Sequence, residues 1–309
     1  MVSVDRSPLL RINPSNDDLR IEFESLEEFA SNVDNFGYYG GVRLIKASIK
    51  RFYNWCEDRI KLPQSNFSIQ YHTNIPRSVG LAGSSAIITA TFKALCGFYR
   101  VKIQPEVQAS LVLSAEKDLL GISAGLMDRV VQSMEDLVFM DFSAESMRET
   151  EGVSVGKYQA LELSDCEDHL YLAWASKAAE PTEVLHNHLQ ARFLNGDREV
   201  VDAMKKFADF AEQGQVAMRR NDLKELGKLI DANFDLRASI CQLPQLHKKM
   251  VEVARHNGGT AKFCGSGGAI VGTVPDDSTF FKVQNGLKQI GCEVIRPQIR
   301  SSAVTPMSY

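Results

Sequence analysis

Residues Pro76–Ala86 read PRSVGLAGSSA, and what this stretch joins decides the fold. Before it, NFSIQYH (residues 66–72) alternates apolar and polar positions as a strand does; after it, residues 84–98 are apolar and Ala-rich at helical spacing. A strand, a glycine loop and a helix in that order can receive phosphate. The oxygens need several converging donors, and backbone N–H groups supply them only where side chains leave room. Gly80, Leu81, Ala82 and Gly83 form such a loop, and Ser84, Ser85 and Ala86 open the helix. Hydroxyls there can cap the first turn, donate to phosphate or hold Mg2+. A tight turn capped by serine would use the same residues, so the loop alone does not name a ligand. Familiar nucleotide signatures are excluded. The stretch has no Gly-Lys-Ser/Thr ending and is not G-x-G-x-x-G, and Asp141-Phe142-Ser143 is not the Asp-Phe-Gly of a protein kinase.

Working outward, residues 2–23 carry two short alternating stretches around a polar turn at 13–18, which predicts a hairpin or a pair of edge strands. Helices are predicted at 26–33, 40–56 and 104–120, and a short strand at 137–142 closes the first region. Residues 152–162 are polar and poorly patterned, a candidate crossing between lobes. Beyond them a strand at 169–173 is followed by amphipathic helices near 198–213, 222–240 and 243–256. Then come a strand at 260–264, the glycines of 265–268, a strand at 269–274, a helix near 279–290 and a strand at 292–298. This order predicts an α+β chain of two lobes, divided as 1–155 and 156–309.

Two further segments could carry chemistry. In EKDLLGISAGLMDRVVQ (116–132), Glu116 ends one predicted helix and Asp128 begins the next across a Gly-containing loop. Metal-assisted phosphoryl transfer needs one carboxylate for the cation and another beside the attacking hydroxyl. The same pair would serve equally as a solvated helix residue and a partner of a helix N-terminus. In GGTAKFCGSGGAIVG (258–272), glycines turn the chain between two strands, as any hairpin with positive φ does. The six histidines show no metal-ligand spacing, and Tyr38 and Tyr39 in FGYYGG could stack on a ligand or fill the core.

Composition narrows the class. The chain has 309 residues, 44% of them hydrophobic, enough for each lobe to bury a core. A net charge of -4 gives no global field for a polyanion, so nucleic acid is not an expected partner. Six scattered cysteines without a CxxC pair read as reduced thiols. With neither a signal segment nor a membrane-length apolar run, the expected compartment is the cytosol and no membrane is an expected partner. Oligomeric state is not legible.

Taken together, the three segments resemble the GHMP kinases, the superfamily of galactokinase, homoserine kinase, mevalonate kinase and phosphomevalonate kinase. PRSVGLAGSSA resembles its second motif, P-x-x-x-G-L-G-S-S-A; AEKDLLGISAGLMDR resembles the segment of the metal-binding Glu and catalytic Asp; and TAKFCGSGGAIVG resembles the third motif. Within the superfamily, NFGYYGGVRL, LVLSAEK, AGLMDRV and FMDFS are most similar to plant-type glucuronokinases. The resemblance implies a ribosomal protein S5 domain 2-like N-terminal lobe and a ferredoxin-like C-terminal lobe. It implies ATP and Mg2+ as cofactors, with the ATP phosphates on Gly80–Ala86 and the metal on Ser85, or Ser84, with Glu116. Asp128 becomes the catalytic residue at the anomeric hydroxyl of a sugar acid, and Gly265, Ser266, Gly267 and Gly268 close over phosphates and sugar. Arg77, Arg129, Arg43 and Tyr39 are the candidate substrate-binding side chains, because a carboxylate in a closed site wants an arginine fork. Ala82 stands where many members have glycine. The first family motif would precede Met1, which makes a catalytically impaired sugar- or nucleotide-binding protein one alternative; because the shared motifs contact phosphate and do not name the acceptor, a kinase for another sugar such as galactose is the other.

Overall fold

The computed structural model describes residues 1–13, 21–23, 25–36, 42–162, 167–175 and 183–299. The chain divides into two units, one of residues 1–75 and 82–159, the other of residues 76–81 and 160–304, apart from the undescribed C-terminal residues.

In the first unit, β1 (Val2–Arg6) pairs antiparallel with β4 (Phe67–Tyr71), and β2 (Leu10–Asn13) runs parallel to β4 on its other side. β2 in turn pairs antiparallel with β3 (Ile21–Phe23), giving the order β1-β4-β2-β3. Period-two burial on β4 puts Phe67 and Ile69 inside. Of the helices, α1 spans Leu26–Phe36 and α2 Arg43–Glu57, where Ile45, Ile49, Phe52 and Cys56 recur at helical spacing and are buried. The long apolar α3 (Gly83–Tyr99) adds Ile88, Phe92 and Leu95 to that core. Phe52 meets Phe92 edge-on at 6.2 Å and stacks on Tyr99 at 5.9 Å, an arrangement worth more than area burial alone.

α4 (Pro105–Ser114) begins with proline at its first turn and buries Val107, Ala109, Leu111 and Val112 on nearly every side. It does not run on to residue 120 as a uniform helix. At Ala115–Leu119 the chain widens into a π turn, and after a loop α5 (Met127–Met134) follows. The polar segment 152–162 holds the change of unit, between Gln159 and Ala160, but it is not unpatterned. It contains β7 (Val153–Val155) and β8 (Lys157–Ala160), which pair with β6 (Arg148–Thr150) and β5 (Val138–Asp141) respectively.

The second unit is a sheet of β9 (Leu170–Ala175), β10 (Lys262–Phe263), β11 (Ala269–Thr273) and β12 (Cys292–Ile295) in the order β10-β11-β9-β12, with all pairs antiparallel. With helices between β9 and β10 and between β11 and β12, this is the β-α-β-β-α-β arrangement of a ferredoxin-like fold. The helices are α6 (Glu183–Leu194), α7 (Arg198–Arg219), α8 (Leu223–Ile240), α9 (Gln245–His256) and α10 (Asp277–Gln289), of which α6 was not foreseen. Asp197, Asp222 and Asp276 cap α7, α8 and α10 by accepting backbone N–H bonds. Phe263, Ile270, Ala173 and Val294 lie in one row across the sheet and are buried with Met250, Val251 and Ala254 of α9 and Val283 and Leu287 of α10.

Candidate active site

The helix that the glycine loop opens starts at Gly83, and the residue before it, Ala82, holds φ +53°. An L-residue with a Cβ visits this left-handed region at a cost, so something must hold it there. Three donors converge on the Ala82 carbonyl: Ser85 Oγ at 3.0 Å, Ala86 N at 3.1 Å and Gln132 Nε2 at 3.2 Å. Gln132 is itself fixed by Thr89 Oγ1, which donates to its Oε1 at 3.3 Å. With the chain turned this way, the first-turn N–H groups of Gly83, Ser84 and Ser85 have no acceptor among the described residues. Such orphan donors at a helix start are a common setting for anions.

The two serines have different environments. Ser85 is fully buried and its hydroxyl is spent on Ala82. It is Ser84 whose Oγ donates to Glu116 Oε1, at 2.9 Å. Glu116 sits in the π turn with 0% exposure, and Arg129 Nε donates to its other oxygen at 2.7 Å. From the first turn of α5 the same guanidinium also reaches the Gly125 carbonyl at 3.0 Å and Asp128 Oδ2 at 3.3 Å. Asp128 itself is half-exposed. Arg129 thus joins one buried and one open carboxylate, and the buried one also accepts from the Ser84 hydroxyl. Hard oxygen donors of this kind suit Mg2+, which is commonly held by one or two carboxylates together with substrate phosphates.

In the second unit, Gly80 (φ +74°) and Gly268 (φ +84°) bring two glycine turns into backbone contact. A Cβ on Gly80 would lie 2.1 Å from the Gly267 carbonyl oxygen, and one on Gly268 would lie 3.0 Å from that of Val79. Neither approach admits a side chain. Behind the turn stands Arg237 of α8, 5.2 Å over the Phe263 ring, with Nη1 donating to the Gly265 carbonyl at 2.7 Å and Nη2 to that of Ser266 at 3.3 Å. Burial lowers the pKa of Lys262 beside it, with a further push from Arg237. His247 packs edge-on against Phe263 at 5.6 Å, and burial lowers its pKa too, again with Arg237 adding to the effect.

Of the other candidate side chains, Arg77 and Arg43 are exposed, and Tyr39 lies outside the described residues. Sequence reasoning missed Gln132 and Arg237. Gln132 could have been found one helical turn after Asp128 on the same face; no sequence signal marks Arg237.

Comparison with known proteins fits this geometry. Residues 43–135 match the family model for the GHMP kinases N terminal domain and residues 215–291 that for the GHMP kinases C terminal region, and the chain belongs to this family of kinases. Within it, the chain is 40% identical to Glucuronokinase 1 of Arabidopsis thaliana over 91% of its own length and 78% of that protein's. It is 41% identical to Probable glucuronokinase 2 of the same plant, over 89% and 75%. Among solved structures, Lactococcus lactis galactokinase complexed with galactose shares the fold at a TM-score of 0.70 and 14% identity, over 96% of this chain and 84% of that one.

Proposed function

We propose that this protein transfers the γ-phosphoryl group of ATP to the C1 hydroxyl of D-glucuronate, giving glucuronate 1-phosphate for UDP-glucuronate synthesis in the cytosol. The observation that carries the phosphoryl-transfer reading is the constellation of Ser84, Glu116, Arg129 and Asp128 beside the free N–H groups of α3. The acceptor rests on the likeness to the two Arabidopsis proteins. The compartment rests on cysteine usage: among the described residues Cys56, Cys96, Cys241 and Cys292 form no disulfide.

Phosphoryl transfer asks a protein mainly for position and charge neutralisation. The N–H groups of Gly83, Ser84 and Ser85 would hold phosphate oxygens, and Ser84 with Glu116 would hold Mg2+, the cation that when bound neutralises charge on the phosphates. Asp128, half-exposed and bonded by Arg129, would orient the acceptor hydroxyl and take its proton. Because Arg129 is already committed to two carboxylates and a carbonyl, it serves as a positioning residue for Asp128. That leaves Arg77 and Arg43 as the candidates for the sugar carboxylate.

The test is ADP release by purified protein with glucuronate, galactose or mevalonate as acceptor. Turnover is expected with glucuronate, and Asp128→Asn should lower kcat by about a hundredfold or more while ATP binding persists. Phosphorylation of another acceptor in place of glucuronate would reject the substrate.

A further inference from the structure

We propose that Arg237 is a positioning residue for nucleotide binding, which fixes the glycine turn so that two successive backbone N–H groups, those of Ser266 and Gly267, face a phosphate. The proposal rests on the phosphoryl-transfer reading above but not on the identity of the acceptor.

A trans peptide is planar, with its C=O and N–H pointing in opposite directions. The Gly265 carbonyl shares a peptide with the Ser266 N–H, and the Ser266 carbonyl shares one with the Gly267 N–H. By gripping both carbonyls, the Arg237 fork orients both peptide planes at once and turns their N–H groups away from itself. Neither N–H has an acceptor among the described residues. Two adjacent N–H groups presented on one side make an anion-binding nest. A charged donor on the carbonyl also polarises the peptide and strengthens the N–H as a donor.

Position agrees with this role. Gly267 and Gly268 lie in backbone contact with Gly80 and Val79, at the turn that leads into the phosphate-receiving helix. Left to itself, a run of Gly265, Ser266, Gly267 and Gly268 would sample many orientations, and ordering it at the moment of binding would weaken affinity. Arg237 is held in turn by the Phe263 face and has no carboxylate partner among the described residues, so its grip on the turn is its main polar engagement. Lysine cannot reproduce it, because an ammonium lacks the planar fork that meets two neighbouring carbonyls.

Arg237→Gln and Arg237→Lys would be compared with the wild type and with Arg255→Lys. Arg255 is an arginine clamp of the same unit that bonds Asp231, Asp235 and the Ala261 carbonyl and packs over Phe234, but has no hydrogen bond to residues 265–268, so its variant reports general destabilisation. Calorimetry with Mg·ATP is the primary readout, since it needs no acceptor. Arg237→Gln should weaken Mg·ATP binding by about 10- to 100-fold, Arg237→Lys by less, and Arg255→Lys not at all at a temperature where all are folded. Amide hydrogen exchange of the segment 263–269 should slow on adding Mg·ATP to the wild type and should not slow in Arg237→Gln. Unchanged affinity in Arg237→Gln, an equal loss in Arg255→Lys, or wild-type exchange in 263–269 indifferent to nucleotide would each overturn the proposal. If the wild type binds Mg·ATP but ignores glucuronate, only the acceptor assignment fails.

Discussion

At the scale of single residues, Arg129 and Ala82 show how this site departs from ordinary protein structure. A carboxylate with no exposure is tolerated only when it is paired and hydrogen-bonded, and Glu116 meets that condition through Arg129 and Ser84. Removing one partner of a buried pair costs about 3–5 kcal/mol. Arg129→Met should therefore lower the denaturation midpoint sharply, and adding Glu116→Gln to it should restore part of the loss, as read from a double-mutant cycle in urea. Ala82 is the opposite case, a residue held against its own preference at φ +53°. Ala82→Gly relieves that strain and should raise stability by about 1 kcal/mol by chemical denaturation, since glycine pays little for the left-handed region.

At the scale of elements, what the sequence revealed and what it hid have physical causes. The strand, loop and helix around Pro76–Ala86 were legible because glycine and serine there do work that other residues cannot, and α2 and α3 announced themselves by apolar periodicity. Glu116 and Asp128 were legible as a pair flanking a glycine loop. β7 and β8 were not, because strands of three or four residues contain too few alternations to stand out from a polar background. The π turn at Ala115–Leu119 is invisible to a 3.6-residue period, although it presents Glu116. Arg237 escaped because its targets are main-chain carbonyls, which every residue has. The choice between Ser84 and Ser85 needed hydroxyl directions, and adjacent residues at a helix start differ in direction by about 100°. Within β11, a Cβ on Gly272 would fall 1.7 Å from the Thr260 carbonyl oxygen, a backbone atom that Tyr171 also holds at 2.7 Å. Gly272→Ala is expected to destabilise the sheet by about 3 kcal/mol or more, measured as loss of the far-ultraviolet dichroism transition midpoint.

At the scale of the whole molecule, stability should depend on pH through His247, which is 2% exposed and has no partner for Nδ1 among the described residues. Burial, with Arg237 second, lowers its folded-state pKa beneath the ordinary histidine value of about 6.5. Below that value the unfolded chain binds a proton that the folded chain refuses, so stability rises with pH through this window and falls as the pH drops toward 5. Urea titrations at pH 5.5 and 7.5 should show that loss, and His247→Phe should flatten it.

The contact of Gly80 with Gly267 bears on how the family's sequences can drift. It joins main chain to main chain, so no enlargement at one position can be matched by a reduction at the other. Neighbouring side chains can leave correlated exchanges in an alignment; this contact cannot, because what a Cβ on Gly80 would meet is a carbonyl oxygen that any residue at 267 carries. Contact maps inferred from covariation would pass over the place where the two turns meet.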